Sequence, residues 1–321
     1  MRTLLTGLML FALTQPALAD AIDDAMAALA LGDVATAQSL AGPLAAGSDP
    51  RGIFVLAEIA ARDPARAEEA TDLFRKASVL GHADATLALA RRALTGEGMA
   101  ATPADAETLL QGLVDQNFGP AQLVLAQAYL DGALTAPEPG RTETLLEAAL
   151  ANGMGHAGFL RGAMAADTDP AAALPWFERG AALGDAMAAL SAGLALRDGV
   201  GADADAEKAA PLLRQAADAG EREAQMALAG LYVDGTGVKR DLFAAAELYK
   251  AAAAQGDTEA MIALGGLYAE GKIGVRDRVA AYGWLRRAVL GGATHAQAEL
   301  DALAGKMKKA DVARGEALAA Q

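Results

Sequence analysis

Apolar and small residues return along this chain at a stride of 36. From Gly81 the marks run through Asn117 and Gly153, then by one shorter stride of 31 to Gly184, and by three more strides of 36 to Gly220, Gly256 and Gly292. An alanine stands four residues after every mark: Ala85, Ala121, Ala157, Ala188, Ala224, Ala260 and Ala296. An apolar pair stands seven and eight residues before every mark, from Leu73/Phe74 and Leu109/Leu110 through Trp176/Phe177 to Leu248/Tyr249 and Trp284/Leu285. A fixed period of this length is the signature of a helical solenoid. One unit cannot bury its apolar face alone, and does so by stacking on the next.

The stretch from Gly220 to Gln255 shows the grammar of one unit. Ala224, Leu228 and Tyr232 share one face of a helix predicted over 223–233. Asp234-Gly235-Thr236-Gly237-Val238 is broken by glycine and predicts the turn. Asp241 stands where an N-cap belongs, ahead of a second helix over 242–254 that carries Leu248 and Tyr249. Gly256 follows as a left-handed C-cap residue, and asparagine is the usual substitute there, which accounts for Asn117 in the series. The same grammar puts N-caps at Asp205 and Asp277 and Pro103 at a second-helix start. The 31-residue unit has lost its glycine turn around 167–170. Upstream, helices are predicted near 22–31 and 34–40, and Gly47 opens a 34-residue unit with Pro64 starting its second helix. The expected organisation is a leader at 1–19, capping helices at 20–46, a repeat array at 47–291 and a C-terminal capping segment at 292–321.

The phrase Ala-Gly-Leu-Tyr-Val-Asp-Gly-Thr-Gly-Val-Lys-Arg-Asp at 229–241, followed by Ala245, Leu248-Tyr249-Lys250-Ala251-Ala252 and Gly256, resembles the Sel1-like repeat, a branch of the tetratricopeptide superfamily. Leu264-Gly265-Gly266-Leu267-Tyr268-Ala269-Glu270-Gly271 with Gly274-Val275-Arg276-Asp277 matches it again. The resemblance covers roughly 47–305 and is degenerate before Ala157. It implies an all-α fold, a right-handed superhelix of about seven helix pairs with terminal caps. It also implies a protein-binding role, often in exported bacterial regulators and envelope factors. Some cysteine-rich relatives are linked to β-lactam hydrolysis.

Composition narrows the function classes. The chain has no cysteine, which removes disulfides, cysteine-ligated zinc and a thiol nucleophile. Arg2, the apolar run from Leu4 to Leu13 and Ala17-Leu18-Ala19 predict a cleaved export signal, with a mature start at Asp20 and a periplasmic or secreted product. That run is shorter than the ~20 residues of a membrane span. After cleavage, 26 basic residues face 41 acidic ones, a balance of −15 that should repel nucleic acid and anionic lipid. Lys306, Lys308 and Lys309 form only a local basic cluster.

Candidate chemistry thins out under the repeat register. His82, His156 and His295 fall at helix starts in separate units, so no convergent catalytic or metal cluster is expected. Asp203, Asp205 and Glu207 alternate beside a turn but lack the glycine and distal glutamate of a calcium loop. Gly96-x-Gly98, Gly199-x-Gly201 and Gly235-x-Gly237 follow no strand and complete no nucleotide motif. Trp176, Phe177, Tyr249 and Trp284 sit at the repeating apolar pair and are expected in the core. By analogy with tetratricopeptide units, the first helix of each pair lines a concave groove. Its inner stripe carries Leu87, Arg91, Leu123, Gln127, Leu130, Arg161, Leu190, Arg197, Met226 and Val233. Arg91, Gln127, Arg161, Arg197, Met226 and Val233 are the expected partner-binding positions, for another protein or a peptide segment. The expected function is an exported, non-catalytic scaffold in the bacterial envelope, without cofactor, which regulates a sensor or envelope enzyme. A hydrolase of β-lactam or cell-wall substrates and a self-associating assembly factor are the alternatives.

Overall fold

A computed structural model describes residues 15–100, 102–135 and 137–320, with residues 15–20 described by their backbone alone. Arg2 and the Leu4–Leu13 run, on which the export signal rests, lie outside the described residues. Among the described residues there are 18 α-helices and no strand. They form two compact units, Met1–Asn152 and Gly153–Gln321. The first holds α1 (Gln15–Ala30), α2 (Val34–Ala46), α3 (Pro50–Ala61), α4 (Ala67–Val79), α5 (Ala83–Thr95), α6 (Pro103–Val114), α7 (Gly119–Leu130) and α8 (Arg141–Ala151). The second holds α9 (Gly155–Ala166), α10 (Pro170–Ala182), α11 (Ala186–Asp198), α12 (Ala206–Asp218), α13 (Arg222–Asp234), α14 (Leu242–Ala254), α15 (Thr258–Glu270), α16 (Arg278–Leu290), α17 (Gln297–Ala304) and α18 (Lys309–Ala319). Helices α3 to α16 are seven pairs, in which the odd-numbered helix comes first. Within each unit a helix packs mainly on its neighbours along the chain.

The caps explain the period. All seven marks are left-handed, with Gly81 at φ 90°, Asn117 at 58° and Gly256 at 86°. Asp205, Asp241 and Asp277 each accept backbone N–H bonds in the first turn of the helix that follows. In the first pair of the array the reading shifts by one residue. Ser48, at φ 62°, is the left-handed residue, whereas Gly47 is not. Counted from Ser48, the small residue four places on is Gly52, where a Cβ would lie 2.6 Å from the Leu44 Cβ. Pro64 begins a short 3-10 turn, Pro64–Arg66, and α4 starts after it.

The core is made largely of alanine. The alanine four residues after each mark is fully or almost fully buried in all seven cases. The second member of every apolar pair is buried (Phe74, Leu110, Leu146, Phe177, Leu213, Tyr249 and Leu285), whereas among the first members only Leu145 is. The first members Trp176 and Trp284, expected in the core, are only half-buried. One residue back is about 100° around the helix, which takes the side chain to the margin of the buried stripe. The 31-residue unit closes most tightly. A Cβ on Gly158 would meet the Gly180 Cα at 2.7 Å, and one on Gly162 the Phe177 ring at 2.5 Å. At the downstream end, the polar segment expected as a cap is α18, which packs on α16. Gly315 lies against the Tyr282 ring, and Glu316 accepts from the Tyr282 hydroxyl at 2.7 Å and pairs with Arg286 at 3.1 Å.

The glycine turns do more than change direction. Gly237, at φ 70°, sits on the start of the preceding pair's second helix, where a Cβ would lie 2.3 Å from the Ala206 carbonyl oxygen. Gly201 meets Pro170 in the same way, at 2.4 Å. These loops therefore set the contact between one pair and the next. Gly256→Ala should cost about 1–2 kcal/mol of left-handed strain, since nothing lies near its Cβ position, and Gly256→Asn less. Gly237→Ala should cost more than Gly256→Ala, because strain and collision combine there. Urea melts of the three variants check this ordering; equal losses at Gly237 and Gly256 would contradict the role of the close approach.

Candidate interaction surfaces

On the first helices of unit Met1–Asn152, the position ten residues after the left-handed residue is polar in three successive pairs: Glu58, Arg91 and Gln127. Arg91 is exposed, and Glu58 is half-buried. Burial pushes the Glu58 carboxyl up, while Arg62, Arg91 and Arg92 pull it back. Arg91 therefore has an acid within electrostatic reach, on the preceding first helix and 33 residues away in sequence. Gln127 donates to Asp131 at 2.7 Å, one helical turn on, and Leu130 beside it is exposed. Leu87 is buried.

Unit Gly153–Gln321 treats its two expected arginines differently. Arg161 stands eight residues after its mark, where other pairs carry the buried Leu89, Leu125, Leu228 and Leu264. It is half-buried and lies over the Trp176 ring at 5.3 Å, while Arg179 takes the same ring at 4.6 Å. Arg197 is held by both oxygens of Asp198, at 2.6 and 2.7 Å, and this pairing raises its pKa. Met226 and Val233 are half-buried on α13, and Leu190 is buried. On the second helices the Trp–Arg contact recurs three strides on, with Arg287 over Trp284 at 5.0 Å.

Two sets of polar contacts escaped the sequence reading. Gln122 and Gln225 both stand five residues after a mark and are buried. Asn152 donates to Gln122 Oε1 at 2.9 Å and to Asn117 Oδ1 at 3.0 Å. Gln255 donates to Gln225 Oε1 and to the Gly220 carbonyl, both at 3.0 Å. A side chain at the end of one second helix thus fastens the start of the first helix in the same pair. Their signal was the shared register of Gln122 with Gln225 and of Asn152 with Gln255. Arg92 is a buried cation, donating to Thr71 Oγ1 and the Ala67 carbonyl, each at 2.9 Å, and pairing with Glu97 at 3.1 Å. Buried polar groups are tolerated when satisfied in this way.

The histidines are structural neighbours of caps. His82 takes the place of the usual aspartate N-cap: its Nδ1 accepts from Ala85 N at 3.3 Å, and its ring stacks on Phe54 at 4.6 Å. His156 Nδ1 lies 3.1 Å from Asp185, the N-cap of α11, and His295 pairs with Glu259 at 3.1 Å. No group of three or more His, Asp or Glu side chains among the described residues is close enough to hold a metal ion. No described helix is long and apolar enough to cross a membrane.

Four consecutive segments, 148–185, 184–221, 222–257 and 258–292, match the Sel1 repeat family. Upstream, α3 to α7 keep the same left-handed caps and buried small residues without such a match. Among solved structures, the chain is similar to a protective antigen with an SLR fold present in uropathogenic Escherichia coli strains, at 23% identity and a TM-score of 0.66. The match covers 88% of this chain and 63% of that one, so the chain spans under two thirds of that structure's length. A Sel1 repeat protein from Oxalobacter formigenes matches at 25% identity and a TM-score of 0.57, covering 88% of this chain and 85% of that one. No curated protein matches.

The two partly buried histidines give stability opposite pH dependences. Burial lowers the His82 pKa below 6.5, so its contribution is present above that value and lost as pH falls through the lowered pKa. The hydrogen bond to Asp185 raises the His156 pKa above 6.5, so that contribution is present below 6.5 and lost as pH rises through the raised pKa. Melting temperatures across about pH 5–8 should show His156→Asn flattening the alkaline side and His82→Asn the acid side. The reverse pattern would refute both assignments.

Proposed function

Since residues 148–292 are an array of Sel1 repeats, a type of repeat that mediates protein–protein interaction, we propose that this chain is an exported, non-catalytic scaffold that binds another protein in the bacterial envelope. The observation that carries the reading is a division of labour in the register. Alanine at +4, the second member of each apolar pair and the glutamine clamps are consumed by packing between helices. Arg91, Leu130, Met226 and Val233 on the first helices keep exposed or half-buried surface. Exposed Arg91 and Leu130 in the first unit, and half-buried Met226 and Val233 in the second, each suit contact with an amphipathic helix or extended segment of a partner. Arg91 supplies a charge-assisted donor there, in a protein whose net charge of −14 repels indiscriminate anions. Arg2, the Leu4–Leu13 run and Ala17-Leu18-Ala19 support export with a mature start at Asp20. Regulation of a membrane sensor or envelope enzyme is the concrete form of the role.

Affinity capture from the native envelope fraction, with N-terminal sequencing of the bait, tests both halves. The bait should begin at Asp20, and one partner should be recovered. Arg91→Ala combined with Met226→Asp and Val233→Asp should reduce that recovery without changing helicity. An intact Met1 in the cytosol would overturn export. Undiminished capture by the folded triple variant would overturn the first-helix assignment.

A further inference from the structure

The edge between each glycine turn and the second helix recurs with the period, and its chemistry changes from one pair to the next. Between α11 and α12 it forms a niche of about 410 Å³ that includes Asp203, Asp205 and Glu207, with Lys208 paired to Asp205 at 3.0 Å, so that its charge is net acidic. One stride of 36 later, between α13 and α14, the corresponding niche measures about 710 Å³ and includes Val238, Lys239, Asp241 and Phe243. Lys239 stands where the earlier pair has Asp203, and Phe243 where it has Glu207. Tyr232, Arg240, Leu242 and Lys272 complete the later niche. The backbone is the same in both, since Asp205 and Asp241 each cap the helix that follows at about 3.0 Å. The earlier pair is thus an internal control: the fold accepts an acid at both positions.

Tyr232, Val238 and Leu242 pack against the core, and Arg214 lies over the Tyr232 ring at 5.5 Å, but packing does not account for the other side chains of the later niche. The Phe243 ring is 63% exposed on the first turn of α14. Lys239 is exposed and forms no ion pair among the described residues. Arg240 spends its Nε on the Val233 carbonyl at 2.9 Å, and Lys272 meets Glu270 at the surface. The single acid lining the niche, Asp241, is committed to the helix cap. Three cations around an exposed aromatic ring stand out in a chain of net charge −14.

The geometry points to a docking site for an acidic segment of a partner polypeptide. A bulky apolar side chain of that segment lies on Phe243, while flanking Asp or Glu carboxylates take charge-assisted hydrogen bonds from Lys239, Arg240 and Lys272. The acidic niche of the preceding pair repels the same segment, which fixes the register of docking. This rests on the scaffold reading but uses the turn edge, a different surface from the first-helix face.

The test measures fluorescence anisotropy of the full mature chain with labelled peptides: a central Leu-Phe flanked by Asp and Glu, the same centre flanked by Lys, and a Ser-Gly centre flanked by Asp and Glu. The first should bind, more weakly as salt is added, and the other two should not. Lys239→Asp with Phe243→Glu writes the preceding pair's residues into this niche, so the variant should fold. It should lose at least about ten-fold in affinity. The reverse graft, Asp203→Lys with Glu207→Phe, should add a second binding site. Absence of binding by the first peptide, equal binding by the Lys-flanked one, or unchanged affinity in the double variant would overturn the proposal. So would equal competition by a DNA oligonucleotide, which would show a site for polyanions without an apolar anchor. Loss of envelope capture in the first-helix variant, together with absence of binding by the first peptide to the unaltered chain, would reject this niche and leave the scaffold reading standing.

Discussion

The structure depends on how closely its helices can approach. A core of alanine buries little area per residue, so its stability comes from many short-range contacts along closely packed helices rather than from bulky side chains. The alanine at +4, Gly52 in the first pair of the array, and Gly158, Gly162 and Gly180 in the short pair occupy the points where helix meets helix. A larger side chain at any of them would push the pair apart and uncover the leucine or aromatic residue that fills each layer. The turn glycines extend the constraint to the next pair, through Gly201 on Pro170 and Gly237 on Ala206.

This constraint also separates structural positions from available ones. Where packing is decided by small residues, large and charged side chains at other register positions are free to vary. Lys239 and Phe243 replace Asp203 and Glu207 on the same backbone, and Glu58, Arg91 and Gln127 succeed one another on the first helices. A solenoid of this kind can alter its surface pair by pair without altering its stacking. Fastening between helices is handled separately, by the buried Gln122 with Asn152 and Gln225 with Gln255.

Much of the fold was legible in the sequence because the caps are chemically narrow. Glycine and asparagine hold a left-handed residue most cheaply, and a short acceptor such as Asp241 or Asp277 is the favoured cap of the next helix, so period and boundaries followed. The Ser48 cap was missed because serine is uncommon in that conformation and Gly47 stands beside it. The surface was less legible. Stripe counting put Arg161 on an open face, although its place eight residues after the mark belongs to the core. The acid within electrostatic reach of Arg91, Glu58, lies one pair away, beyond any spacing rule within a helix. The margin position of Trp176 and Trp284 follows from a one-residue offset that apolar composition does not reveal.

The central claim is that this chain is an interaction scaffold whose first helices carry the partner. Site-specific photo-crosslinking in living cells tests it most directly, with a photoreactive residue placed singly at positions 91, 127, 226 and 233 on first helices and at 75 and 178 on second helices. The account predicts a discrete crosslinked partner of one mass from the first-helix positions and none from 75 and 178. Crosslinks confined to the second-helix positions would contradict it.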